Sequence, residues 1–131
     1  MTIVVDASCM VAALVDGHSD GQWSARILGS DDIAAPELML IETANVLRRL
    51  ERAKNITQLE ATSAHRDLLR ADIEIFPYEP LAEGVWQLRT NLTSYDAAYA
   101  ALAQTLDASL ATLDAKLARA AAKVCRCLTP G

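Results

Sequence analysis

The chain alternates short apolar runs with longer stretches of amphipathic spacing. The first apolar run is Ile3-Val4-Val5, a β-branched sequence typical of a strand buried on both faces of a sheet. Further strands are predicted at 33–35, 73–76, 109–112 and 124–128. Helical spacing occupies 7–15, 21–29, 37–53, 57–71, 80–92, 93–107 and 114–123. This alternation predicts a parallel α/β sheet covered by helices on both faces.

Local sequence signals place several helix starts. Thr57 and Glu60 form the first and last positions of a capping box, which predicts a helix over 57–71. Pro36 is expected as the first residue of the helix at 37–53, and Asp20 as the cap of the helix at 21–29. Pro80 is expected to open a helix with one apolar stripe, formed by Leu81, Val85, Leu88 and Leu92.

Length and composition favour one globular domain. The chain has 131 residues, of which 52% are hydrophobic and 22% charged, and it contains no repeat, linker or low-complexity tract. We therefore expect a single domain over 1–131. Three cysteines without a C-x-x-C pair, together with only two histidines, argue against a structural zinc site. Neither a signal peptide nor an apolar stretch of roughly 20 residues is recognisable, so a cytoplasmic location is expected.

Four acidic residues are placed to reach one edge of the predicted sheet. Asp6 directly follows the first strand, and Asp114 follows the strand at 109–112. Asp96 lies in the first turn of its helix, and Glu42 in the second turn of the helix that leaves the second strand. Each acid alone has an ordinary explanation as a helix cap, an N-terminal helical acid or a solvated surface residue. That explanation does not predict four acids at the edge where open parallel sheets bind ligands.

The net charge of −5 bears on what such a cluster does. Proteins that bind nucleic acid passively through its phosphates usually carry a positive charge. Converging carboxylates repel one another, and a hard divalent cation such as Mg²⁺ or Mn²⁺ relieves that repulsion. Carboxylate clusters that hold such ions are typical of phosphodiester hydrolysis, in which the metal rather than the protein surface meets the phosphate.

The segments "IVVDAS", "PELMLIETANVLRRL", "TSYDAAYAALA" and "LATLDAKLARA" resemble, in series, the motifs of PIN domains, most closely the VapC toxins of bacterial type II toxin–antitoxin pairs. The resemblance covers essentially the whole chain. It implies a three-layer fold with a five-stranded parallel sheet in the order 3-2-1-4-5. It also implies a metal-dependent endoribonuclease whose catalytic acidic quartet is Asp6, Glu42, Asp96 and Asp114.

Residue roles follow from this resemblance. Asp6 and Asp96 are expected to bind the principal Mg²⁺, with Asp114 completing that site or a second one, and Mn²⁺ is an alternative ion. Glu42 is expected to orient the attacking water or to help bind a metal. The hydroxyls of Ser8 and Thr112 are expected to hold carboxylates in place. Three further residues are candidates for guiding RNA, with a solvated polar face as the alternative: Asn45, Arg49 and Lys116.

The resemblance also implies a homodimer and a cognate VapB-type antitoxin. The antitoxin is expected to lay an amphipathic segment in an apolar groove formed by the helices at 37–53 and 57–71. The main alternative is a catalytically inactive PIN-like module that binds RNA or protein. A haloacid dehalogenase-type phosphatase is disfavoured, because Ser8 stands where that family usually carries a second aspartate. The sequence leaves open the RNA that is cut, the number of metal ions and the preferred ion.

Overall fold

The computed structural model describes all residues, 1–131, and contains one five-stranded parallel sheet in the order β3-β2-β1-β4-β5. The strands are β1 (Thr2–Val5), β2 (Asp32–Pro36), β3 (Glu74–Phe76), β4 (Ser109–Ala111) and β5 (Cys127–Leu128). The central strand β1 pairs with β2 on one side and with β4 on the other, with Val4 opposite both Ala34 and Leu110. The predicted α/β class and strand order are confirmed.

Seven α-helices connect and cover the strands. They are α1 (Ala7–Val15), α2 (Ser19–Ser30), α3 (Leu38–Arg52), α4 (Gln58–Arg70), α5 (Ala82–Gln87), α6 (Ser94–Leu106) and α7 (Ala115–Ala121). Helices α1 to α4 contact one another, and α6 contacts both α5 and α7. No helix has the length and hydropathy required to cross a membrane.

Helix α6 is the most deeply buried helix of the fold. Every residue from Ala97 to Ala103 is buried, and five of these seven positions are alanine. Alanine side chains let the helix backbone approach closely, and α6 contacts strands β1, β2 and β4. The side chains of Val4, Val5 and Leu110 in the sheet are fully buried. The deep position of α6 brings its first turn to the carboxyl edge of the sheet.

Several predicted boundaries were wrong. Pro36 ends β2 opposite Phe76 rather than starting α3, since a strand end tolerates a residue without an N–H. His18, and not Asp20, occupies the position before α2 and makes no side-chain cap bond. The apolar stripe after Pro80 is interrupted, because a 3₁₀ turn at Glu79–Leu81 precedes the six-residue α5, which ends before Leu88.

The sheet topology places the ends of β1 and β4 side by side. Val5 pairs with Ala111, and the backbone N–H of Asp6 donates to the carbonyl of Ala111 over 3.3 Å. The strand order reverses between these strands, because the chain runs outward from β1 to β2 and β3 and then returns to β4. The residues directly after β1 and β4 therefore meet at the switch point, where open α/β sheets bind their ligands.

Candidate active site

Asp6 lies directly after β1 with 4% of its surface exposed, and both carboxylate oxygens accept hydrogen bonds. Oδ1 accepts from the backbone N–H of Cys9 at 2.9 Å and from the hydroxyl of Ser8 at 2.7 Å. Oδ2 accepts from the hydroxyl of Thr112 at 2.5 Å. The Cys9 bond is a helix cap for α1, so Asp6 does serve as a cap. The cap accounts for one of these three bonds, and the hydroxyls of Ser8, in α1, and Thr112, after β4, make the other two.

The hydroxyls that hold Asp6 also connect the segments after β1 and β4. Thr112 Oγ1 accepts from the backbone N–H of Asp114 at 2.9 Å, and Ser8 Oγ accepts from the backbone N–H of Leu113 at 3.0 Å. Thr112 is fully buried. The placement of Asp114 relative to Asp6 is therefore set by hydrogen bonds and not only by the sheet.

Asp96 and Asp114 lie at the starts of two helices but differ in their contacts. Asp114 caps α7, where its Oδ1 accepts from the backbone N–H groups of Lys116 at 2.9 Å and Leu117 at 3.2 Å. Asp96 lies in the first turn of α6, whose cap is Thr93, and its half-buried carboxylate accepts no hydrogen bond. Because capping is carried out by Thr93, the carboxylate of Asp96 is not needed for that role.

Glu42 is held by a residue that the sequence reasoning missed. The phenol of Tyr99, on α6, donates a hydrogen bond to Oε1 of Glu42, on α3. Tyr99 is 2% exposed, whereas Tyr95 on the same helix is 63% exposed. Helical spacing places Tyr95 and Tyr99 on one side of the helix predicted at 93–107, together with Leu102 and Leu106, and so predicts both tyrosines as members of an apolar stripe. The signal that could have found Tyr99 is its hydroxyl, because a buried phenol usually needs a hydrogen-bond partner.

One pocket of about 210 Å³ collects these side chains. All four acids line it, and its walls also include Ser8, Tyr99, Asn45 and Arg49. Thr112 lies behind Asp6. Lys116 does not line the pocket, although its positive charge opposes the rise in the pKa of Asp96 that burial causes. The structure thus brings the predicted quartet to one pocket together with two of the three candidate RNA-guiding residues.

No acid of the pocket forms a salt bridge with a basic side chain. The one salt bridge of the structure joins the amino terminus to Asp31, which precede β1 and β2 at the opposite edge of the sheet. Burial raises the pKa of Asp6 and of Glu42, although hydrogen bonds to each carboxylate oppose the shift. Burial also raises the pKa of Asp96, and the negative charge of Asp114 adds to that effect. Such uncompensated carboxylates are typical of functional sites.

The donor chemistry of the pocket fits a hard divalent cation. Carboxylate oxygens are the preferred ligands of Mg²⁺ and Mn²⁺, and several here accept no hydrogen bond: both oxygens of Asp96, Oδ2 of Asp114 and Oε2 of Glu42. No three acidic, histidine or cysteine side chains are close enough together to form a complete metal-binding cluster. The fit therefore rests on the donor atoms and charge of the pocket.

Comparison with known proteins agrees with the fold. The family model described as "PIN domain" matches residues 3–123. Ribonuclease VapC9 of Mycobacterium tuberculosis is 35% identical over 108 residues, which are 82% of this chain and 82% of that protein. Ribonuclease VapC1 of the same species is 37% identical over 108 residues, 82% of this chain and 81% of that protein.

A solved structure has a similar fold. VapBC2 from Rickettsia felis, bound to a DNA fragment from their promoter, matches with a TM-score of 0.69 and 17% sequence identity. The match covers 98% of this chain and 98% of that one. The sheet order and the acidic pocket at the switch point define an α/β protein with a ligand-binding edge. This chain belongs to the PIN-domain family and, within it, to the VapC proteins.

The raised pKa of Asp96 predicts a pH-dependent gain in stability when its charge is removed. The folded state favours the protonated carboxyl, so at pH 7.5 the ionised group destabilises the fold. Asp96→Asn should therefore raise the Tm in EDTA by about 2 °C. This corresponds to a gain of ~0.5 kcal/mol in the free energy of unfolding after allowance for solvent screening. The Tm difference between this variant and the wild type should decrease as the pH falls through the raised pKa of Asp96, because the wild-type carboxyl becomes protonated.

Asp72→Asn is the matched control, because Asp72 is exposed, lies outside any helix or strand and accepts no hydrogen bond. The Tm of Asp72→Asn should equal the wild-type Tm within the error of the measurement. A Tm difference for Asp96→Asn that is absent, or that does not change with pH, would contradict the uncompensated charge of this pocket.

Proposed function

We propose that this protein is a metal-dependent endoribonuclease, the toxin of a toxin–antitoxin pair, which cleaves RNA phosphodiester bonds with a metal-activated water. One observation carries the proposal: four carboxylates line a single pocket at the switch point of the sheet, and none of them forms a salt bridge. A protein that merely bound RNA through its phosphates would carry an excess of positive charge at this place, whereas Arg49 is the one basic residue that lines the pocket. The ribonuclease names of the VapC relatives support the same activity.

In this mechanism Asp6, Asp96 and Asp114 would hold the metal. A bound divalent cation would supply Lewis-acid stabilisation of the phosphate and would lower the pKa of water, so that water could serve as the nucleophile at neutral pH. Glu42 orients the attacking water and accepts its proton, a role for which a half-buried carboxylate with a raised pKa is suited. Ser8 and Thr112 keep the Asp6 carboxylate in one orientation. Attack by water leaves 5′-phosphate and 3′-hydroxyl ends.

Asn45 and Arg49 guide the RNA backbone in this proposal. Both are exposed residues of α3, and both line the same pocket as Glu42. Lys116 is exposed near Asp114 and contributes long-range attraction to phosphate. Because such contacts release counterions from the nucleic acid, replacing Arg49 by Ala should weaken RNA binding and reduce its dependence on salt concentration.

The experiment that tests the proposal compares wild-type protein with Asp6→Asn on total cellular RNA, each with Mg²⁺, with Mn²⁺ and with EDTA. Asn retains the shape and the capping ability of Asp, so the variant should fold. We expect discrete cleavage by the wild type with a divalent ion, loss of at least about 100-fold in Asp6→Asn, and no cleavage in EDTA. Sequencing of the fragment ends identifies the RNA and the 5′-phosphate.

Equal cleavage by the two proteins, or cleavage that persists in EDTA, would contradict the proposal. If neither folded protein cleaves RNA but both bind it equally, the alternative of a catalytically inactive PIN-like binding module takes its place. Circular dichroism and thermal melts of both proteins show whether the comparison is between folded states.

A VapB-type antitoxin is the proposed protein partner, and an apolar pocket of about 550 Å³ is its docking site. The pocket lies between α1 and α3 and next to residues 55–56, with Val11, Val15 and Leu50 among its lining residues. Helix α4 does not line this pocket, so the proposed site pairs α3 with α1, whereas the sequence predicts a groove between α3 and α4. The pocket shares Ser8 and Val46 with the acidic pocket, so a segment bound there can direct a basic side chain toward the acids.

Co-purification with the co-expressed cognate antitoxin tests this docking site. Leu50→Glu should abolish capture of the antitoxin, because it places a charge in the apolar pocket. Leu69→Glu is the control, since Leu69 is 64% exposed on α4 and does not line the pocket. Equal capture by both variants would contradict the site. Light scattering of the free chain measures the homodimer, which stays a prediction.

A further inference from the structure

We propose that Tyr99 is a positioning residue for the reaction: its phenol fixes the Glu42 carboxylate so that Oε2 faces the pocket as the free oxygen. The inference deepens the proposed function and rests on it, because it assigns the residue that orients the water-handling carboxylate. The hydrogen bond joins two helices and two residues 57 positions apart in the chain. Both side chains line the pocket that holds the other three acids.

The hydrogen-bond pattern distinguishes the two oxygens of Glu42. Oε1 accepts the bond from Tyr99, and no protein group donates to Oε2. A glutamate on a helix has three side-chain torsions, and a single fixed oxygen removes most of that freedom. Because a phenol keeps its proton at neutral pH, it is a donor to the carboxylate throughout the range in which the enzyme would work. Tyr99 thereby selects the oxygen that remains available to a water molecule.

The burial of Tyr99 makes it a rigid support. Tyr99 is 2% exposed and lies in the alanine-rich part of α6, which packs on the sheet. A group that orients a catalytic carboxylate needs such a locked rotamer, since small displacements of the reacting groups reduce the rate. Tyr95 offers a comparison on the same helix: its ring is 63% exposed and its hydroxyl makes no hydrogen bond within the protein.

A purely structural reading has to be separated from the positioning role. In that reading the phenol merely satisfies its own buried hydroxyl, and Glu42 is a convenient acceptor. The two readings predict different effects of Tyr99→Phe once Glu42 is absent. A positioning residue loses its effect on the rate when the group that it positions has been removed, whereas a structural residue continues to affect the rate.

The test uses four proteins in single-turnover RNA cleavage with Mg²⁺: wild type, Tyr99→Phe, Glu42→Ala and the double variant. We expect Tyr99→Phe to lower the cleavage rate roughly tenfold or more while the RNA concentration for half-maximal rate changes less than about twofold. In the Glu42→Ala background, Tyr99→Phe should have no further effect. Tyr95→Phe, the same substitution four residues earlier, should leave the rate unchanged.

A second readout does not depend on metal or RNA. Thermal melts of the same four proteins in EDTA measure whether the two side chains are coupled in the free protein. The Tm change caused by Tyr99→Phe should differ between the wild-type and Glu42→Ala backgrounds, because the hydrogen bond exists in only one of them.

Three results would overturn the inference: an unchanged rate in Tyr99→Phe, an equal loss of rate in both backgrounds, or equal Tm changes in both backgrounds. Failure of the proposed function has a different signature, because the wild type itself would then show no cleavage that requires Asp6. If wild-type cleavage requires Asp6 and Tyr99→Phe cleaves RNA at the wild-type rate, the positioning role is rejected and the proposed function is retained.

Discussion

The hydrogen bonds around the Asp6 carboxylate are the interaction on which the arrangement of the site depends. Where two parallel strands end side by side, the residues that follow must supply hydrogen-bond partners for the backbone groups at the strand ends. Here Asp6 closes β1 and starts α1, while Thr112 closes β4 and bridges Asp6 to the backbone of Asp114. Ser8 completes the connection through the backbone of Leu113. One buried carboxylate thus organises the start of a helix, the end of a strand and the placement of a second acid.

That arrangement opposes stability while it creates a site. Burial raises the pKa of Asp6 and Glu42, the charges of neighbouring carboxylates add to that rise, and only hydrogen bonds to the two carboxylates oppose it. The fold is held instead by the fully buried sheet residues and the alanine-rich helix α6. In many proteins the functional site lowers the free energy of unfolding, and a well-packed core offsets that loss.

Much of the fold could be predicted from the sequence because its signals are local. Ile3-Val4-Val5 identifies a buried strand, and the Thr57–Glu60 capping box is present as predicted. Strand order came from resemblance to PIN domains, since pairing between distant strands leaves no local pattern. Boundaries at Pro36 and after Pro80 were wrong, because each proline is compatible with more than one local structure.

The convergence of the acids was predictable from their positions near strand ends and helix starts. The hydrogen-bond partner of Glu42 was not predictable, because Tyr99 has the same helical spacing as core residues. Only the tertiary structure shows that the hydroxyl of Tyr99 reaches α3.

The central claim is that the acidic pocket binds a divalent cation through Asp6, Asp96 and Asp114, and crystals of the protein soaked with Mn²⁺ test it most directly. Anomalous scattering locates manganese independently of any assumption about the ligands. We predict a peak in the acidic pocket in contact with carboxylate oxygens of Asp6, Asp96 and Asp114, and no such peak in Asp6→Asn crystals soaked in the same way. An empty pocket at a Mn²⁺ concentration that supports RNA cleavage, or manganese bound only elsewhere on the protein, would contradict this account of the site.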